Sequence, residues 1–100
     1  MARLIEFSRR STTQLQKILA FYDERNGSNH YSRHLLKYLL EDIQRIAQIP
    51  TIGSPSTRPD VRFFYLMGFT IIYHFNSRRV TILSIRSSAR KPLKIYKKAR

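Results

Sequence analysis

The chain has no cysteine and no tryptophan, only three glycines, and only six acidic residues among its 100. Without cysteine, neither a disulfide framework nor a thiolate metal site can form. No apolar stretch approaches the ~20 residues of a membrane span, and no early apolar run has the roughly 7–15 residues of a signal peptide. A cytoplasmic chain without membrane contact is therefore expected. The shortage of acids is the most informative lack. Against the six stand 19 Lys and Arg, giving a formal charge of +13 and a pI near 11.0. That balance calls for a polyanionic or acidic partner. It is also lopsided: residues 1–50 hold 8 basic and 5 acidic residues, whereas residues 51–100 hold 11 basic and one acidic.

What is present suffices for one domain spanning 1–100 with a single modest core, at 42% apolar residues. Arg3–Phe7 (RLIEF) reads as a short strand, with Leu4 alternating with Glu6 and Ile5 with Phe7. Ser11 followed by Gln14 fits a helix capping box, and Ser8 is an equal alternative for a helix starting at Arg9. Leu15, Ile18, Leu19 and Tyr22 then recur at helical spacing. Asn26-Gly27 ends that helix, because both residues tolerate a left-handed turn. Ser28 or Asn29 caps a second helix, whose apolar positions are Tyr31, Leu35, Leu36, Leu39, Leu40, Ile43, Ile46 and Ala47. Pro50 stops it, and the breakers Gly53, Ser54, Pro55, Ser56 and Pro59 mark Thr51–Asp60 as a loop.

Three strands follow: Val61–Leu66, Phe69–Phe75 and Arg79–Ile85, joined through Met67-Gly68 and Asn76-Ser77-Arg78. In the middle one Phe69, Ile71, Tyr73 and Phe75 share one face, and Thr70, Ile72 and His74 the other. In the last, strict alternation sets Thr81, Leu83 and Ile85 against Val80, Ile82, Ser84 and Arg86. The expected fold is α+β, in the order β-α-α-β-β-β. An antiparallel helical hairpin packs on one face of a small, mainly antiparallel sheet, and the first strand lies at its edge or beside the last strand.

The chemistry-bearing residues are mostly cations. His30, His34 and His74 are the only histidines, and the His30/His34 pair has no carboxylate beside it, so both read as surface histidines and no metal is expected. No glycine-rich phosphate loop and no Ser/His/Asp set appears, and no cofactor is expected. The basic constellation is Arg62 at a strand start, Arg78 and Arg79 at a hairpin, Arg86 at the end of the last strand, then Arg90, Lys91, Lys94, Lys97 and Lys98, with Tyr96 among them. Such cations contact phosphates, and a tyrosine among them stacks on an unpaired base or donates a hydrogen bond. RNA cleavage needs no metal in principle, since a ribose 2′-hydroxyl attacks the adjacent phosphate when cations stabilise the charge that develops.

The ordered set IEFS, QLQKILAFYDERNGSNHYSRHLLKYLLEDIQRIAQIPTIG, VR, GFTIIYHF and ILSIRSSARKP resembles the RelE/ParE superfamily of bacterial type II toxin–antitoxin toxins, over residues 3 to about 96. The resemblance implies a toxin whose partner is an antitoxin with an acidic, amphipathic segment. RelE-like members are ribosome-dependent mRNA endoribonucleases that inhibit translation, and ParE-like members inhibit DNA gyrase without chemistry of their own. A third alternative is a non-toxic, nucleic-acid-binding relative. For the RelE-like activity, which is the leading expectation, the resemblance implies Arg62, Arg90 and Tyr96 as catalytic residues. Arg78, Arg79, Arg86, Lys91, Lys94, Lys97 and Lys98 would then bind RNA. Two departures count against it: Thr70 stands where RelE carries an arginine on the middle strand, and the lysine pair before that strand is absent.

Overall fold

The computed structural model describes residues 2–87. Strand β1 (Leu4–Phe7) leads into helix α1 (Arg9–Asn26). Ser8 is the cap, its Oγ accepting the Ser11 N–H at 3.0 Å. Gln14 is thereby released from capping and crosses to the sheet, where its Oε1 accepts the Ile85 N–H (2.8 Å) and the Ser84 hydroxyl (3.2 Å). Gly27 ends α1 in the left-handed conformation (φ 67°). Helix α2 (His30–Gln48) follows Asn29, whose side chain makes no capping bond. Two contacts close the hairpin: the Ser32 hydroxyl donates to Asp23, and the rings of Tyr22 and Tyr31 meet at 4.8 Å.

Pro50 ends the α-helical run and opens a 3₁₀ turn, Pro50–Ile52. The stretch expected to be only a loop then holds a further strand, β2 (Ser54–Pro55), which pairs with β3 (Val61–Leu66). The breakers concealed it because β2 sits at the sheet's edge, where proline is tolerated. Strands β4 (Phe69–Phe75) and β5 (Arg79–Ser87) complete a sheet ordered β1-β5-β4-β3-β2. Only the β1–β5 pair is parallel. Positive φ at both Met67 (49°) and Gly68 (83°) makes a tight two-residue hairpin between β3 and β4, of the kind whose twist suits paired strands.

The alternation expected along β5 breaks. Ile72 pairs with Ser84 but Tyr73 pairs with Ile82, so Leu83 is an extra residue in a β-bulge. Beyond it the faces exchange. Ile85 joins Val80 and Ile82 in the main core, and Arg86 moves to the other side, opposite Thr70.

The main core lies between helices and sheet. Leu35, Leu39, Ile43 and Ile46 of α2 bury against Ile71, Tyr73, Val80 and Ile82, with Leu15, Ile18, Leu19 and Tyr22 of α1 partly buried beside them. Each fully buried aliphatic side chain contributes about 1.5–3 kcal/mol. Leu40, read as apolar helix face, is 42% exposed. On the opposite face Val61, Phe63 and Ile72 form a smaller cluster with Leu83.

One buried hydroxyl fixes the path from α2 to β2. The Tyr73 phenol donates to the Pro50 carbonyl and accepts the Gly53 N–H at 3.0 Å. Gly53 is required there, because a Cβ at this position would stand 2.5 Å from the Tyr73 oxygen and 2.7 Å from the Phe63 carbonyl. Tyr73→Phe leaves both backbone groups unpaired, and Gly53→Ala overpacks the site. Each should destabilise by about 1–3 kcal/mol in denaturant titrations. Burial raises the Tyr73 pKa above 10.0. The folded chain therefore keeps this proton where the unfolded chain releases it. The phenol's contribution is complete below pH ~10 and fades as pH rises above it, a fall that Tyr73→Phe should lose.

Candidate functional surface

Among the described residues, the sheet sets the expected site cations Arg62, the neighbours Arg78 and Arg79, and Arg86 apart from one another. Arg62 stands opposite Tyr73 on β3, on the helix side. Its Nη1 donates to the carbonyls of Gly53 (2.9 Å) and Thr51 (3.3 Å), and its Nε is buried without a partner among the described residues. Its guanidinium thus braces the same connector that Tyr73 holds. Arg78 and Arg79 lie at the start of β5 and Arg86 near its end, roughly 23 Å away at the ~3.3 Å rise of a strand. Arg79 pairs with Glu6 at 2.8 Å. Arg90, Lys91, Lys94, Tyr96, Lys97 and Lys98 lie outside the described residues.

On the face away from the helices, Tyr65, Thr70 and Arg86 form one cross-strand row. Two strand pairs further along, His74 lies between Val61 and Thr81, and its Nε2 meets Asp60 Oδ2 at 2.9 Å. Asp60 also takes both arms of Arg58, at 3.2 and 3.1 Å. The Arg58 guanidinium holds the Asp60 carboxyl below the ordinary carboxylate value, with the His74 hydrogen bond adding to the effect. Sequence reasoning missed this cluster, although its signal was available: Asp60 is the only acid in the second half of the chain.

The remaining histidines sit on the exposed side of α2, where His30 and His34 stack at 5.8 Å and His34 meets Tyr38 edge-on. Among the described residues no three His, Asp or Glu side chains gather as metal ligands. None of the described helices is long and apolar enough to cross a membrane. Beside the far end of β5 a groove opens between α1 and the sheet, lined by Lys17, Ile18, Phe21, Tyr22, Phe69 and Ser87. Gln14, Ile85 and Arg86 extend it.

This fold and groove can be set beside known proteins. Residues 5–92 match the family model of the ParE toxin of type II toxin–antitoxin systems, parDE. The chain belongs to this ParE toxin family. Among solved structures, a chain of the chromosomal ParDE toxin–antitoxin system from P. aeruginosa has the same fold, with a TM-score of 0.70 at 19% identity, covering 86% of this chain and 96% of that one. No curated protein gives a match. Membership in the family accounts for the sequence order read from IEFS to ILSIRSSARKP, and it makes the chain a type II toxin.

The Arg58–Asp60–His74 cluster yields a direct measurement. With its carboxyl held low, Asp60 is ionised at neutral pH, and whatever it adds to stability is lost only as pH falls through its depressed value, below 3.8. A carbon-detected NMR titration should place Asp60 below 3.8, and Arg58→Ala should move it back up, since Arg58 is the largest cause of the shift.

Proposed function

We propose that this toxin acts by binding its target, DNA gyrase, without chemistry of its own. The observation that carries this reading is the engagement of Arg62 on the helix side of the sheet, together with Thr70 where RelE-like members place an arginine. A guanidinium bonded to the Thr51 and Gly53 carbonyls supports the connector and faces away from the outer surface of the sheet. The family match over residues 5–92 supports the same side of the superfamily.

The partner that restrains it is an antitoxin with an acidic, amphipathic segment. The groove beside α1 suits such a segment: Ile18, Phe21, Tyr22 and Phe69 offer an apolar floor, Phe21 being 56% exposed, and Lys17 and Arg86 supply cations at the rim. The RelE-like reading, cleavage of mRNA on the ribosome, has one specific observation in its favour. Arg90 and Tyr96 keep the spacing of that class within a half-chain of 11 basic residues and one acid.

Two assays on purified toxin separate the readings. The expected result is inhibition of gyrase supercoiling at stoichiometric toxin, with mRNA left intact in a ribosome-containing mixture. Arg90→Ala and Tyr96→Phe would then leave mRNA integrity unchanged. Cleaved mRNA abolished by those two substitutions, with gyrase untouched, would overturn the proposal.

A further inference from the structure

The end of the molecule away from the groove is built from four short segments that bond to one another. The Arg3 N–H reaches the Ala47 carbonyl (3.1 Å), the Leu4 N–H the Arg78 carbonyl (2.9 Å) and the Phe75 N–H the Asp60 carbonyl (3.0 Å). Arg62 ties in Thr51 and Gly53. Residues 3–4, 47–53, 58–62 and 75–79 therefore form one continuous pole.

Two features set this pole apart. The first is exposed aliphatic surface: Leu4 is 66%, Ile49 56% and Ile52 41% exposed. Ile49 precedes and Ile52 ends the turn whose backbone is pinned by Tyr73 at Pro50 and Gly53 and by Arg62 at Thr51 and Gly53. A connector that only joins α2 to β2 gains nothing from two outward isoleucines on a fixed backbone. The second is a surplus of arginines, with Arg3, Arg58, Arg78 and Arg79 set against Glu6 and Asp60. Asn76 ties three of them together: its carbonyl accepts the Arg3 Nε–H (2.6 Å), and its Oδ1 accepts the backbone N–H groups of Arg78 and Arg79 (2.8 Å each). The terminal nitrogens of Arg3 and the whole guanidinium of Arg78 have no hydrogen-bond partner among the described residues.

We propose that this pole is a docking surface for a partner protein that presents carboxylates around an apolar pocket, and that through it the toxin holds its target. The second part rests on the binding mode proposed above. Arginine forks pair bidentately with carboxylates, and protein interfaces combine such arginines with desolvated apolar anchors. A phosphate backbone would reward the arginines but not three aliphatic side chains. Because the Asn76 turn and the connector are already fixed, little ordering is left for the moment of binding. The pole and the groove lie at opposite ends of β5, roughly 26 Å apart at the rise of a strand. An acidic segment seated in the groove leaves the pole open, so the two surfaces are separable by substitution.

The test uses the full chain, with complex formation with its co-expressed antitoxin and circular dichroism as readouts of an intact fold. Ile49→Ser with Ile52→Ser, and separately Arg3→Glu with Arg78→Glu, should each weaken growth arrest on induction at least tenfold. Both should weaken gyrase inhibition to the same extent while leaving the antitoxin complex formed. If the isoleucine pair unfolds the chain, Ile49→Thr alone gives the same reading on an exposed side chain. Wild-type growth arrest in both folded variants overturns the proposal. So does a loss confined to the arginine variant and matched by loss of binding to a 20-base-pair DNA duplex, which would make the pole a nucleic-acid surface. A wild-type chain that arrests growth but leaves supercoiling untouched refutes the gyrase reading alone, and the growth comparison still judges the pole. A wild-type chain that does not arrest growth refutes both.

Discussion

The Tyr73 hydroxyl is the contact on which the arrangement of this toxin depends. It lies on the central strand of the sheet, fully buried, between the Gly53 N–H and the Pro50 carbonyl. Unpaired, those groups would each carry the penalty of a buried polar atom, about 1–3 kcal/mol. Paired to one phenol, they bring Pro50 and Gly53 together over β4. The consequences spread outward from there. The 3₁₀ turn has its length fixed between the two bonds, β2 is delivered to the edge of β3, and Gly53 is required because a Cβ there would stand only 2.7 Å from the Phe63 carbonyl.

The same anchor decides what Arg62 does. With the connector folded over the helix side of the sheet, the Thr51 and Gly53 carbonyls face β3, and the nearest donor is the Arg62 guanidinium. A cation that reads in the sequence as a phosphate contact thus completes an internal network. Among the described residues, the cations on β5 and its hairpin then fall into two groups at the ends of that strand. Arg86 joins Lys17 beside an apolar groove, whereas Arg78 and Arg79 join Arg3 and Arg58 beside Ile49 and Ile52. Arg79 and Arg86, seven residues apart in the sequence, are thus held at the two ends of one strand.

How far the sequence could be read follows from the range of the interactions involved. Periodicities of 3.6 and 2 located both helices, β1 and the three long strands, since those patterns are set by residues that are neighbours along the chain. Gly27 ended α1 where a left-handed residue was needed, and β1 took its place beside β5. The failures all depend on residues far apart in sequence. β2 is a strand only because β3 lies beside it. Gln14 resembles half of a capping box until Ile85, 71 residues away, supplies its partner. Asp60 and His74 become a pair only when β3 and β4 zip together, and the Tyr73–Pro50 contact spans 23 residues. The site residues from Arg90 onward lie outside the described residues.

The bulge in β5 shows how such a distant contact resolves a conflict written into the sequence. Unbroken alternation from Val80 through Ile82 and Ser84 would direct Arg86 into the core beneath the helices and Ile85 out of it. An unpaired guanidinium there carries a desolvation penalty of several kcal/mol, and an exposed Ile85 forgoes about 1.5–3 kcal/mol of burial. One extra residue at Leu83 exchanges the two, at the expense of a disturbed ladder. Gln14 repairs that disturbance, because its Oε1 takes the Ile85 N–H and the Ser84 hydroxyl beside the bulge. The helix residue that declines to cap α1 therefore sets the phase of β5, and that phase places Arg86 on the outer face at the mouth of the groove.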